Sequence, residues 1–257
     1  MAFPSSQTRW DRYNVCDLKT PFISIIIPAY NEAERLPASL QAIDAFLHTQ
    51  PYSAEVLVVE NGSNDDTFAL AQKMQKQMPA LRAMHVEERG KGLAVKTGML
   101  AARGVYRFIC DADLSMPIAE VVRFIPPALE DVDIAIASRE APGAVRYNEP
   151  HYRHMIGRAF NWMVRLLALP GLQDTQCGFK CLRAEVAERV FALQTIDGWT
   201  FDVEILFIAR RLGYRIQEVA IPWYFNPHSK VKFLRDSLHM GLDLLRIRWN
   251  ALRGRYG

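Results

Sequence analysis

Short apolar runs alternate with amphipathic stretches of helical length through the first half of the chain. Phe22 to Ile27, Glu55 to Val59, Arg82 to Val86, Tyr106 to Cys110 and Val132 to Ala137 are strand-length and carry Ile, Val and Phe, which predicts five strands. Between them, Leu36, Leu40, Ile43 and Leu47 recur at helical spacing, as do Leu93, Val95 and Met99, and Val121, Val122 and Ile125. Continuously apolar strands separated by helices predict a mostly parallel α/β sheet with helices on both faces. Sheets of this doubly wound kind bind ligands beyond the carboxyl ends of their strands, so the residues after each strand hold the candidate chemistry.

The pattern changes after the fifth strand. Ser138 to Pro150, with Pro142 and Gly143, reads as an irregular loop long enough to be functional. An amphipathic helix follows from about Tyr152 to Leu169, then a short Gly-containing segment, a helix from Phe201 to Leu212 and a strand from Arg215 to Ile221. The last 25 residues read as a further basic amphipathic helix. The expected division is an N-terminal extension (1–20), a ligand-binding domain (21–230) in two halves, 21–138 and 139–230, and a C-terminal helix (231–257).

A chain of 257 residues with 50% hydrophobic content can bury the core of one large domain. Its net charge of +3 is too mild to point to nucleic acid, so any basic partner surface is local. Cys16, Cys110, Cys177 and Cys181 lack zinc-type spacing, and a reduced, cytoplasmic compartment is the simplest expectation. The first 20 residues carry charges and no apolar core of a signal peptide. No run reaches the roughly 18 apolar residues of a membrane span. Ala159 to Leu172 comes nearest and is broken by Asn161, Arg165 and Pro170.

Three strand ends carry chemistry-bearing motifs. Asp111-Ala112-Asp113 offers two carboxylates to a hard divalent cation, although so short a pattern also suits a solvated acidic turn. Pro28-Ala29-Tyr30-Asn31-Glu32 and Glu60-Asn61-Gly62-Ser63-Asn64 supply acidic and amide groups for ribose or a base, with helix capping by Asn31, Ser63 or Asn64 as the plain alternative. Glu88-Arg89-Gly90-Lys91-Gly92 sets glycines, amides and two cations at a helix start, an expected anion site.

Taken in order, these motifs resemble the family-2 glycosyltransferases of the GT-A, Rossmann-like fold, over about residues 22 to 230. Asp174-Thr175-Gln176-Cys177-Gly178-Phe179-Lys180 and Trp199-Thr200-Phe201-Asp202-Val203-Glu204 are similar to the branch that glucosylates dolichyl phosphate. The resemblance implies inverting transfer of a hexose, glucose from UDP-glucose first, to a polyprenyl phosphate. It implies that Pro28, Tyr30, Glu32, Glu60, Ser63, Arg89 and Lys91 line the donor and that Asp111 and Asp113 hold Mg²⁺ or Mn²⁺. The resemblance favours a UDP-sugar over a GDP-sugar, while Glu60-Asn61, where many relatives carry Asp-Asp before Gly-Ser, leaves both uracil and guanine open as the base.

A phosphate monoester is largely ionised at neutral pH and needs little help from a base, but it does need cations. Arg139, Arg146, Arg153, Arg158, Lys180, Lys230 and Lys232 are the supply, with Gln176 beside Lys180 in its motif. A sugar-hydroxyl acceptor would instead require a carboxylate base at Asp202, Glu204 or Asp174, unless Thr200 and Asp202 serve only as helix caps. An inactive nucleotide-sugar sensor and a nucleotidyltransferase are the other readings. The helices from Tyr152 (Met155, Ile156, Phe160, Met163, Leu166 and Leu167 with Arg153, Arg158 and Arg165) and near the C-terminus (Leu234, Leu238, Leu242, Leu245 and Trp249 with Arg235, Arg246, Arg248, Arg253 and Arg255) combine apolar stripes with arginines. Such helices suit peripheral attachment to the cytoplasmic membrane face. Packing on the domain or in a homodimer would bury the same stripes.

Overall fold

The computed structural model describes residues 20–226 and 233–257. The extension 1–19 with Cys16, and Pro227 to Lys232 with Lys230, lie outside the described residues. The side chains of Ile156, Leu234, Arg235 and Leu238 are likewise not among those described.

The chain runs β1 (Ile23–Ala29), α1 (Leu36–Leu47), β2 (Ala54–Asn61), α2 (Thr67–Gln75), β3 (Leu81–Val86), α3 (Lys91–Ala101), β4 (Tyr106–Ile109), a 3₁₀ turn (Ile118–Arg123), β5 (Ile134–Ser138), β6 (Val145–Tyr147), α4 (His151–Leu167), β7 (Lys180–Arg183), α5 (Ala184–Leu193), α6 (Phe201–Arg211), β8 (Ile216–Ala220), β9 (Pro222–Tyr224) and α7 (Phe233–Leu252). Seven strands form one sheet in the order β3-β2-β1-β4-β7-β5-β8, parallel except for β7. All six predicted strands are present. β1 shows why they form: Ile25 and Ile27 join the core on one face, Ile26 joins the core on the other, and all three are fully buried. Each such side chain removed from water contributes about 1.5–3 kcal/mol.

The structure departs from expectation in three places. The short Gly-containing segment holds a buried antiparallel strand, β7, and the helix α5. Lys180 is the reason β7 is hidden in the sequence, because a charged residue opens a strand that is nevertheless fully buried. The helix expected at Val121 to Ile125 is only a 3₁₀ turn, since Pro117 precedes it and Pro126-Pro127 cuts it off. The loop after β5 contains β6, which pairs in parallel with β9 as a separate two-stranded ribbon. Residues 21–138 and 139–230 share the seven-stranded sheet.

Register sets the site. Ala29 lies opposite Glu60 and Ile26 opposite Ile109, so β1, β2 and β4 end at one edge. β7 reaches β4 from the other side, with Lys180 opposite both Ile109 and Ile136, and so delivers Gly178 to the same edge. α6 is buried continuously from Phe201 to Ala209, as a helix inside two layers must be.

Candidate active site

Beyond this edge lies a cavity of about 730 Å³. That is room for a ligand of nucleotide-sugar size. Pro28, Tyr30 and Glu32 form one wall, and Arg89 stacks its guanidinium 4.0 Å from the Tyr30 ring centroid. The backbone turn at Asn31 has φ +51° and is held by its amide donating to Ser63 Oγ at 3.0 Å, while Asn31 Oδ1 accepts from the Asn64 amide at 2.8 Å. Asn31, Ser63 and Asn64 therefore tie two loops together; α1 and α2 begin at Arg35 and Asp66 without side-chain caps.

Glu60 and Ser63 correct the expected donor set, because neither lines the cavity. The buried Glu60 carboxylate accepts from the Ser63 amide and contacts His85 Nδ1, so it braces the loop from below. Asn61, its neighbour, is the residue that lines the cavity.

Asp111 and Asp113 stand on the cavity floor. Lys91 Nζ meets Asp111 Oδ1 at 2.6 Å, and the charges of Asp111, Asp202 and Asp113 outweigh burial and raise the Lys91 pKa above the usual lysine range. Burial, followed by the charge of Asp111, pushes the Asp113 carboxyl up, although it accepts from the Ser115 amide at 3.0 Å. Two crowded carboxylates favour a divalent cation. Among the described residues no group of three or more Asp, Glu, His or Cys is placed to hold a metal ion by itself, so the pair suits an ion that completes its shell with ligand oxygens and water. The helix start at Gly90-Lys91-Gly92 is less open than expected: the Gly92 and Leu93 amides donate to the Asp197 carbonyl at 2.8 and 3.2 Å. Lys91 and Arg89 both line the cavity.

The other wall holds Arg139, Arg146 and Arg153, with Gln176, Trp199, Asp202 and Trp223. Arg139 grips buried Asp174 with two bonds of 2.7 and 2.9 Å. Burial alone would raise the Asp174 pKa, but Arg139 holds it down at about 2, far too low for a general base near neutral pH. Arg146 pairs with Glu140 and Glu149. Arg158 is exposed and outside the cavity.

Lys180 also falls outside it: fully buried, it donates to the Cys177 carbonyl and to Asp202 Oδ1, each at 2.6 Å. Lys180 thus positions Asp202 rather than an acceptor. Burial outweighs the Lys180 and Lys91 charges and leaves the Asp202 carboxyl above the usual range. Glu204 is corrected as a candidate base, since it lies outside the cavity and accepts from Thr195, Ile196 and Tyr256. Thr200 stands at the start of α6 without making a cap bond.

Gly178 is a feature the motif contained and its chemistry did not announce. A Cβ there would fall 1.8 Å from Asp111 Oδ2.

The description "Glycosyl transferase family 2" belongs to the family model that matches residues 24–191. The chain is 34% identical to the dolichyl-phosphate beta-glucosyltransferase of Dictyostelium discoideum, over 91% of this chain and 76% of the relative. It is 31% identical to the human protein of that name, over 94% and 79%. In fold it resembles mannosyl-3-phosphoglycerate synthase from Rubrobacter xylanophilus, with TM-score 0.69, 17% identity, and 96% and 78% coverage. It also resembles glucosyl-3-phosphoglycerate synthase from Mycobacterium tuberculosis, solved with Mn²⁺, UDP-glucose and glycerol 3-phosphate, with TM-score 0.60, 18% identity, and 92% and 80% coverage.

Proposed function

This chain belongs to glycosyl transferase family 2, and from that premise we propose that it moves glucose from UDP-glucose to a polyprenyl phosphate of the dolichyl type, with inversion at the sugar. One observation carries the reading. A single cavity joins an acidic pair to three arginines, while each carboxylate considered as a base is already engaged: Asp174 by Arg139, Asp202 by Lys180 and Glu204 by Thr195, Ile196 and Tyr256. A nucleophile that needs cations rather than a base is an anionic phosphate.

Asp111 and Asp113 would hold Mg²⁺ or Mn²⁺, which when bound supplies charge neutralisation for the departing diphosphate. Lys91, its charged form favoured by the surrounding carboxylates, and Arg89 hold the diphosphate from the side of α3. Asn61 presents its amide to the base, and Tyr30 with Arg89 forms a flat wall beside it. Arg139, Arg146 and Arg153 hold the acceptor phosphate against its own repulsion by the donor. Trp199 and Trp223 limit water on that side.

A lipid acceptor also calls for a surface contact. No helix among the described residues is long and apolar enough to cross a membrane. Tyr152, Met155, Trp162 and Leu166 on α4 and Leu242, Leu245, Trp249 and Leu252 on α7 are exposed, and the two helices pack together. With Arg158, Arg165 and Arg248 also exposed, this pair of helices suits an anionic bilayer surface.

A second reading, a sugar-hydroxyl acceptor with Asp202 as base, rests on the raised Asp202 pKa. The test is transfer of labelled sugar from UDP-glucose, UDP-GlcNAc, UDP-galactose and GDP-mannose to a short polyprenyl phosphate with Mg²⁺. Organic-soluble label from UDP-glucose, abolished by EDTA, is the expected result. Metal-dependent UDP or GDP release with hydroxyl acceptors alone would overturn the first reading in favour of the second.

A further inference from the structure

Glu204 is fully buried on α6, two residues beyond Asp202, and the bonds made to it are all from uncharged donors. It accepts from the Thr195 amide at 3.1 and 3.0 Å, the Ile196 amide at 2.8 Å, the Thr195 hydroxyl at 2.6 Å and the Tyr256 hydroxyl at 2.6 Å. A buried carboxylate without a cation costs free energy that an apolar side chain of the same size would not. Its presence is explained by what it holds.

Thr195 and Ile196 begin the segment 195–199, whose far end supplies Gly198 and Trp199 to the cavity. The C-terminal part of the chain grips the same segment. Arg246 Nη2 donates to the Thr195 carbonyl at 3.1 Å, Asn250 Nδ2 donates to Thr195 Oγ1 at 3.1 Å and to the Tyr256 hydroxyl at 3.2 Å, and Tyr256, one residue from the terminus, is fully buried. The next residue in the segment, Asp197, takes the Gly92 and Leu93 amides on its carbonyl. α3 sits so close that a Cβ at Gly90 would lie 2.6 Å from the Asp197 oxygen, and one at Gly92 would lie 2.7 Å from the Ile196 oxygen. Lys91, between those glycines, stands with Nζ 5.3 Å from the Trp199 ring centroid and 2.6 Å from Asp111.

We propose that Tyr256 and Glu204 are positioning residues for the donor: through segment 195–199 they set where Lys91 stands in the cavity. This rests on the reading of that cavity as the UDP-glucose site. It makes Tyr256 part of the donor machinery, although it touches no ligand.

The test compares Tyr256→Phe with Ser24→Ala. Ser24 is a buried residue at the opposite end of β1, and its hydroxyl joins Glu55 and the Gly104 amide. Each substitution removes one buried hydroxyl, so their thermal stabilities should fall alike. Tyr256→Phe should raise the KM for UDP-glucose about fivefold while kcat and the polyprenyl-phosphate KM stay within about twofold. Ser24→Ala should leave all three unchanged. Glu204→Gln sets an amide N–H against backbone N–H groups and should raise the donor KM further; if it does not fold, Tyr256→Phe still decides. Calorimetric affinity for UDP-glucose should follow the same order. A donor KM and affinity unchanged in Tyr256→Phe, with only the melting temperature lowered, would overturn the proposal. Wild-type protein that neither binds nor uses UDP-glucose would instead overturn the donor assignment beneath it.

Discussion

Gly178→Ala should separate activity from stability more cleanly than any substitution of a charged residue. The added methyl would lie 1.8 Å from Asp111 Oδ2, 2.4 Å from Cγ and 2.7 Å from Oδ1. Ordinary contact begins at 3.4 Å, so the nearer oxygen must retreat by roughly 1.6 Å. The atoms in the way are the end of a short side chain, and a carboxylate turned off its preferred rotamer costs about 0.5–1.5 kcal/mol. The fold should absorb that. The site should not, because metal–ligand distances tolerate only about 0.2 Å and a 1 Å misplacement costs on the order of 10²-fold in rate. The assay is the initial rate of label transfer from UDP-glucose to polyprenyl phosphate, with melting temperature measured on the same preparation. Melting should drop by a few degrees at most and the rate by about two orders of magnitude. Gly157→Ala, inside α4 where a Cβ meets nothing within 4 Å, should by contrast raise stability by about 0.5–1 kcal/mol. A Gly178→Ala rate within about threefold of wild type would refute the reasoning that Asp111 must stay where Gly178 lets it stand.

Asp111→Asn or Asp113→Asn should abolish transfer while leaving the fold intact, and full activity in either would remove the pair from the metal site. Asp174 is held at about 2 against an ordinary 3.8, so its pairing stabilises the fold fully above about pH 4 and is lost as pH falls toward 2; denaturant titrations of wild type and Asp174→Asn should converge by on the order of 2 kcal/mol over that range, and a constant gap would refute this. Cys110, Cys177 and Cys181 are free and buried, and burial pushes the Cys177 thiol up to about 11, so a thiol reagent at pH 8 should modify these three only after denaturation. Reversing Arg158, Arg165 and Arg248 to Glu should weaken sedimentation with vesicles containing acidic phospholipid by about 1 kcal/mol per charge, and unchanged binding would sink the lipid-surface reading.

The strands, their order along the chain and the edge that carries the site were legible because Ile23 to Ala29 and its counterparts are apolar on both faces and stop at polar motifs. What the sequence could not show was pairing between distant residues. Lys180 has the composition of a phosphate ligand and becomes the partner of Asp202; Glu204 has that of a base and becomes an anchor for backbone amides. Glu60 looks like a nucleotide ligand, yet strand register turns it under the loop and leaves Asn61 at the cavity. In each case the deciding fact is which hydrogen-bonding partners the fold brings to the side chain, and local periodicity carries no record of it. Trp199 and Gly178 stood inside quoted motifs, but only the fold shows one meeting Lys91 and the other giving room to Asp111.

The antiparallel β7 has a consequence for how this protein can be taken apart. β5 lies within residues 21–138, yet both strands it pairs with, β7 and β8, come from residues 139–230. A fragment ending at Ser138 would leave β5 with no partner and β4 with an open edge, two apolar strands offering unpaired backbone groups to any other chain. Domain exchange between relatives cut at that boundary should therefore yield aggregates rather than hybrid enzymes, and recombination that keeps β4, β5, β7 and β8 from one parent should yield soluble protein.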